Sequence, residues 1–214
     1  LPALGPEVVG VHLKRKHIFM DRWIRHGGRY PLILLRIWRR GQGRIEQRWM
    51  DEHVIVWGGR TVTFEGGFAD HNLNDLTFFT DKHNKYATRE ALDVLIQRYE
   101  LLPRDESLTA TGASLQAAIK RAVKEQIYNK LPFGLGPLGY VLFRYCLQLG
   151  FLDGKPGLIY HGLQAGWYRF LVAAKVLEFD ARIRPCVTKQ ERLRQLELAT
   201  GFKLIDGNAA PEDT

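Results

Sequence analysis

Hydrophobic and polar positions follow two different periods along this chain. Over residues 11–19 (VHLKRKHIF) apolar side chains loosely alternate with basic ones, the two-residue period of a strand. Residues 32–38 (LILLRIW) are a short apolar run between Pro31 and a Gly-rich basic turn, which reads as a buried strand, although periodicity alone does not distinguish it from a helix. Val54 to Trp57 reads as a further strand, Gly58-Gly59 as a hairpin turn, and the alternating stretch 60–65 (RTVTFE) as its partner. From Thr80 the period lengthens to that of a helix. Tyr86, Ala87, Ala91, Val94 and Leu95 fall on one face, and Thr80 or Asp81 is placed to accept the free amides at its start. Ser114 opens a second helix, with Leu115, Ala118, Ile119, Ala122, Val123 and Ile127 as its stripe.

The least polar part follows. Residues 138–151 and 158–179 are rich in apolar and aromatic side chains, separated by a turn at 153–157 (DGKPG). Both are too short or too interrupted for the roughly 18 uncharged apolar residues of a membrane span. They suit helices lying in a membrane interface, with Trp167 at the boundary and Arg144, Lys155, Arg169 and Lys175 towards lipid headgroups. A buried helical hairpin is the competing reading. Thr188 with Glu191 forms a capping box ahead of a polar helix that runs to about Thr200. The expected division is residues 1–76, a mixed sheet; 77–185, a helical membrane-associating region; and 186–214, a helix and tail.

Composition narrows the partners. A net charge of +8 and a pI near 9.6 point to an anionic one: nucleic acid, anionic lipid or a phosphorylated substrate. With 45% hydrophobic and 25% charged residues, wholesale disorder is excluded. Cys146 and Cys186 form neither a metal motif nor a disulfide framework, which suits a reducing compartment. The histidines follow no ligand spacing, so no metal site is expected within this chain. Phosphate-loop and nucleophile-elbow motifs are absent from the sequence.

One stretch concentrates chemistry. Trp49-Met50-Asp51-Glu52-His53 sets two carboxylates beside an imidazole, after the basic residues Arg36, Arg39, Arg40 and Arg44. Neighbouring ionisable groups tune one another's proton affinity. Cations that neutralise a phosphate leaving group, next to a carboxylate that takes a proton, are what displacement of a phosphorylated group requires. A charged loop at a strand edge has the same composition.

The blocks Arg22-Trp23-Ile24-Arg25-His26-Gly27-Gly28-Arg29-Tyr30-Pro31, Leu35-Arg36-Ile37-Trp38-Arg39-Arg40-Gly41 and Met50-Asp51-Glu52-His53 resemble the acceptor-side half of bacterial family 2 glycosyltransferases of GT-A fold. The resemblance continues through Lys82-His83-Asn84-Lys85-Tyr86-Ala87, Gly150-Phe151-Leu152-Asp153-Gly154 and Trp167-Tyr168-Arg169-Phe170, and spans about residues 8–180. It is closest to enzymes acting on cell-surface polysaccharide. It implies an α/β fold: a partial GT-A-like mixed sheet followed by a helical, membrane-interfacial C-terminal region. It also implies an inverting transfer from a nucleotide sugar to a lipid-linked or cell-envelope glycan acceptor, at the cytoplasmic face of the inner membrane. Many relatives carry His-Glu where this chain has Asp51-Glu52, which favours Glu52 as general base and leaves Asp51 a supporting role. Arg36, Arg39, Arg40, His26, Trp49 and His53 are expected on the substrate side. A divalent metal, Mg or Mn, is expected with its ligands upstream of this chain. The start at Leu1 without methionine agrees with a C-terminal part of a longer enzyme. The alternatives are a non-enzymatic membrane-peripheral module and, behind it, a basic RNA-binding domain centred on residues 12–44; nucleic acid is not the expected partner.

Overall fold

The structure, a computed structural model, describes residues 4–45, 54–102 and 134–204. It is a mixed α/β arrangement whose hub is β1 (Val8–Phe19). This strand pairs antiparallel with β2 (Arg22–Trp23) and β3 (Leu32–Trp38), and parallel with β6 (Arg60–His71). Val8, Val9, Val11 and Phe19 are fully buried, so the alternation read from residues 11–19 marks the centre of the sheet. The β3 strand has the expected span but not the expected burial. Ile33 and Ile37 stay exposed, and Leu32, Leu34 and Leu35 are half-buried. An apolar run here marks a strand with one open face.

The hairpin at Gly58-Gly59 does not form. β5 (Val54–Val56) pairs instead with β4 (Gly43–Ile45), and β6 runs beside β1. Gly59 shows why: a Cβ there would lie 2.4 Å from the Glu7 carbonyl oxygen. Without it the chain lies against residue 7, where the Arg60 amide donates to that carbonyl at 2.8 Å. A twelve-residue partner then satisfies far more backbone groups than three-residue β5 could.

Helix α1 (Leu76–Arg98) starts earlier than the periodicity predicts. Asp75 is the cap, accepting the Phe78 amide at 2.8 Å, while the Thr80 hydroxyl donates back to the Leu76 carbonyl within the helix. The expected face is the packed one. Ala87, Ala91, Leu92 and Leu95 meet Val172, Val176, Phe179 and Ile183 of α4 (Tyr168–Ile183) and Leu193 and Leu196 of α5 (Lys189–Thr200). Two carboxylates fasten α1 to α4. Glu90 accepts from the Tyr168 hydroxyl at 2.6 Å and from Arg169 at 2.5 Å. Asp180 accepts from the Tyr99 hydroxyl at 2.7 Å and from Arg184 at 2.5 Å. Burial alone would raise the Asp180 carboxyl, but Tyr99, Arg184 and Arg98 together hold it below its ordinary value. The Thr188–Glu191 capping box forms as read, with both reciprocal bonds present.

Between α1 and α4 the described chain is helical but repeatedly re-pitched. α2 (Leu135–Leu142) widens into a π-type turn at Phe143–Leu147, tightens at Gly150–Asp153, and resumes as α3 (Gly154–His161) before a second wide turn at Gly162–Trp167. The turn expected at 153–157 is therefore the start of α3. Pro156 fits because the first helical turn has no use for its missing amide hydrogen. Among the described residues no single helix is long and apolar enough to cross a membrane. The segments Leu135–Leu147 and Gly150–Ile183 meet that measure only together, bent by 71°.

Candidate functional site

The loop after β2 is where sheet and helices are joined. Ile24 anchors it, fully buried with Phe19, Phe79 and Tyr160, its amide donating to the His17 carbonyl at 2.9 Å. The next residues bond outward to the re-pitched helical segment. His26 donates its backbone amide to Asp153 Oδ2 at 2.9 Å, and its ring Nδ1 meets Asp153 Oδ1 at 2.7 Å. The Gly27 amide donates to the Gln148 carbonyl at 2.8 Å, and the Gly27 carbonyl accepts from buried Arg144 Nε at 2.7 Å. A second guanidinium nitrogen of Arg144 donates to the Tyr140 hydroxyl at 3.1 Å.

Two features make this junction exacting. Gly27 has a φ of +65°, and a Cβ there would lie 2.1 Å from His161 Cε1, so the loop closes only with glycine. His161 itself is fully buried, with no hydrogen-bond partner on either ring nitrogen among the described residues. Burial first, and then the charge of Arg144, push its pKa down to about 4, so the ring is neutral at physiological pH. On the sheet, β1 and β6 carry an Arg15–His17–Asp70 cluster. Hydrogen bonding from His17, with the charge of Arg15, lowers the Asp70 carboxyl to about 2. Burial lowers the His17 pKa.

On the outer side of the junction, Arg22, Trp23, Arg25, His26 and Asp153 line an open groove. Two cations lie over the Trp23 ring, Lys16 Nζ at 5.1 Å and the Arg25 guanidinium at 5.4 Å, and the ring meets Tyr30 edge-on at 4.9 Å. Asp153 is 2% exposed, with an oxygen on each of the two His26 donors. An ionised carboxylate only accepts, so Nδ1 carries the ring proton and Nε2 is left as the remaining hydrogen-bonding atom.

Of the residues singled out in the sequence, Trp49, Asp51, Glu52 and His53 lie outside the described residues. His26 is in the groove. Arg39 is not: it donates to the carbonyls of Val8 at 2.8 Å and Gly5 at 3.0 Å, tying down the start of β1. That end of β1 is separated from the Phe19 end by eleven residues of strand, roughly 30 Å or more. Arg36 is exposed over the Phe68 ring at 5.3 Å, and Arg40 is exposed in the turn before β4. Expected lipid contacts also separate. Arg144 is buried on Gly27, because a guanidinium with a carbonyl and a hydroxyl to satisfy is held inside. Arg169 pairs with Glu90, and Trp167 packs against the helical core. Lys155 is exposed and Lys175 half-buried. Arg22, Arg25, Asp153 and His161 join the site without having been assigned roles in advance. Among the described residues no group of three or more His, Cys, Asp or Glu is arranged to hold a metal ion. Compared with known proteins, the chain matches no family model, no curated protein and no solved structure.

Proposed function

We propose that this chain is the acceptor-side part of a glycosyltransferase working at a membrane surface, moving a sugar from a nucleotide donor to a lipid-linked or cell-envelope acceptor. The observation that carries the membrane reading is the exposed apolar surface of the bent helical segment. Leu138, Leu142, Leu147, Phe151, Leu152 and Leu158 are each between 47% and 76% exposed. Folded soluble surfaces rarely gather so much apolar area without something to cover it. Insertion to headgroup depth buries such a face, and Lys155 beside it suits an anionic surface. The sequence blocks support sugar transfer. In that reading Glu52 takes the proton of the acceptor hydroxyl as its oxygen attacks the sugar, and the nucleoside diphosphate leaves from the opposite face.

The test has two arms. The chain is expected to co-sediment with anionic vesicles at low salt, and Leu138→Gln with Leu142→Gln and Phe151→Gln to abolish it; wild type left in the supernatant overturns the membrane reading. In the enzyme carrying its donor half, Glu52→Gln is expected to slow transfer by about 10²–10⁴-fold, the usual contribution of a positioned base. A Glu52→Gln enzyme within a few-fold of wild type beside an inactive His53→Gln enzyme moves the base to His53. Vesicle binding with no transfer dependent on residues 51–53 leaves the non-enzymatic module.

A further inference from the structure

We propose that the groove formed by Arg22, Trp23, Arg25 and His26 over Asp153 is a binding site for a phosphate group. The site stands on its own geometry. Its identification with the phosphate of a lipid-linked acceptor rests on the function proposed above.

Three observations carry it. First, Arg22 and Arg25 are exposed in one groove, and neither has a carboxylate partner among the described residues. Surface arginines of a folded domain commonly find an acid; here the acid that lines the groove among the described residues, Asp153, is withdrawn. Asp153 is buried and each of its oxygens is taken by a His26 donor. It therefore fixes the imidazole rather than neutralising the guanidinium groups. Second, the donors are pre-arranged. Arg25 lies over the Trp23 ring, which restricts its rotamers before any ligand arrives. His26 is locked through its amide and Nδ1, leaving Nε2 to receive a phosphate hydroxyl or, once protonated, to donate to a phosphate oxygen. Several donors approaching from different residues match the non-coplanar oxygens of phosphate better than a flat carboxylate. Third, the groove opens beside the apolar surface: Asp153 directly follows Phe151 and Leu152, both about half exposed. A phosphate attached to a chain buried in lipid lies at that boundary.

The probes are inorganic pyrophosphate, followed by calorimetry and by the His26 ring resonances, and vesicles of phosphatidylcholine with or without phosphatidic acid. Arg22→Gln combined with Arg25→Gln changes two exposed side chains and spares the junction. Arg194→Gln with Lys203→Gln removes the same charge from exposed positions at the far end of the chain. Pyrophosphate is expected to shift the His26 resonances. The arginine pair should weaken its affinity about 10- to 100-fold, the scale of losing charge-assisted hydrogen bonds, with the control pair within about twofold of wild type. A preference for phosphatidic acid that disappears in the arginine pair, while apolar vesicle binding persists, assigns the lipid headgroup as the source; pyrophosphate binding without that preference assigns a soluble phosphate. The proposal is overturned if wild type binds neither probe, if the arginine pair binds both as wild type does, or if the control pair loses as much. None of these outcomes depends on Glu52 or on sugar transfer, so failure here and failure of the glycosyltransferase reading are separable.

Discussion

Where α1, α4 and α5 meet, most of the buried side chains are apolar, among them Ala87, Ala91, Leu92, Leu95, Val176, Ile183 and Leu196, with the Glu90 and Asp180 carboxylates bonded at the edges. Where residues 24–28 meet the segment 144–161, it is Arg144, Asp153 and His161, closed against a glycine. Apart from those two carboxylates the first interface is non-directional, and a changed apolar side chain there costs in proportion to the area and volume lost. The second depends on bonds of fixed length and angle and on a contact with no room for a methyl group. Burial of polar groups with incomplete partners is expensive. It also fixes position tightly, and the groove with its cations hangs directly from it. The aliphatic core supplies stability, and the polar junction supplies placement.

The sharpest way to break that contrast is a rescue experiment. Leu92→Ala should cost about 2–5 kcal/mol by leaving a cavity. Gly27→Ala should cost a similar amount for the opposite reason, about 1–3 kcal/mol of overpacking on His161 together with about 1–2 kcal/mol of left-handed backbone strain. Adding His161→Ala should return at least about 1 kcal/mol to Gly27→Ala and nothing to Leu92→Ala, measured by urea unfolding. Strict additivity at Gly27 would show that the imidazole is not what excludes the side chain.

Acidification probes the same junction without mutation. A histidine whose folded pKa lies near 4, below its ordinary 6.5, takes up a proton more readily when unfolded. Its contribution to stability is complete above pH 6.5 and is lost as pH falls towards 4, by at most about 1.4 kcal/mol per pH unit. Burial moves His17 and His83 in the same direction, so they add to the slope. Asp70, held to about 2, loses its contribution only below its ordinary 3.8, under that window. The urea midpoint should therefore fall between pH 6.5 and 4, less steeply in His161→Gln. A flat wild-type profile contradicts a neutral buried ring.

The smallest effect belongs to the helical core's edge. Thr188→Ala removes one half of a capping box and should cost about 1 kcal/mol by thermal unfolding, leaving pyrophosphate affinity unchanged. A change in that affinity would mean that the two interfaces are not independent.

Local signals were legible in the sequence where local physics decides. The alternation over residues 11–19, the packed face of α1 and the Thr188–Glu191 cap are contained within a few turns or pleats of chain. The partner of β6 was not legible, because it depends on Gly59 approaching Glu7 across 52 positions rather than on the inviting glycine pair beside it. Asp153 read as part of a turn for a related reason. Nothing in the spacing of DGKPG says that its carboxylate meets a histidine far upstream. Apolar content in residues 138–158 was plain, but the sequence could not tell which of its basic residues turn inward. Arg144 does so because the Gly27 carbonyl is waiting.

The bond between His26 and Asp153 joins positions 127 apart along the chain. Closing so long a loop is slow and entropically costly compared with winding α1 or capping α5. Arg22 and Arg25 stand within four positions of His26, but the imidazole is locked only after both halves of the polypeptide have come together. Loop closure therefore predicts that the groove is completed late in folding, and a ligand held there draws the population towards the completed fold.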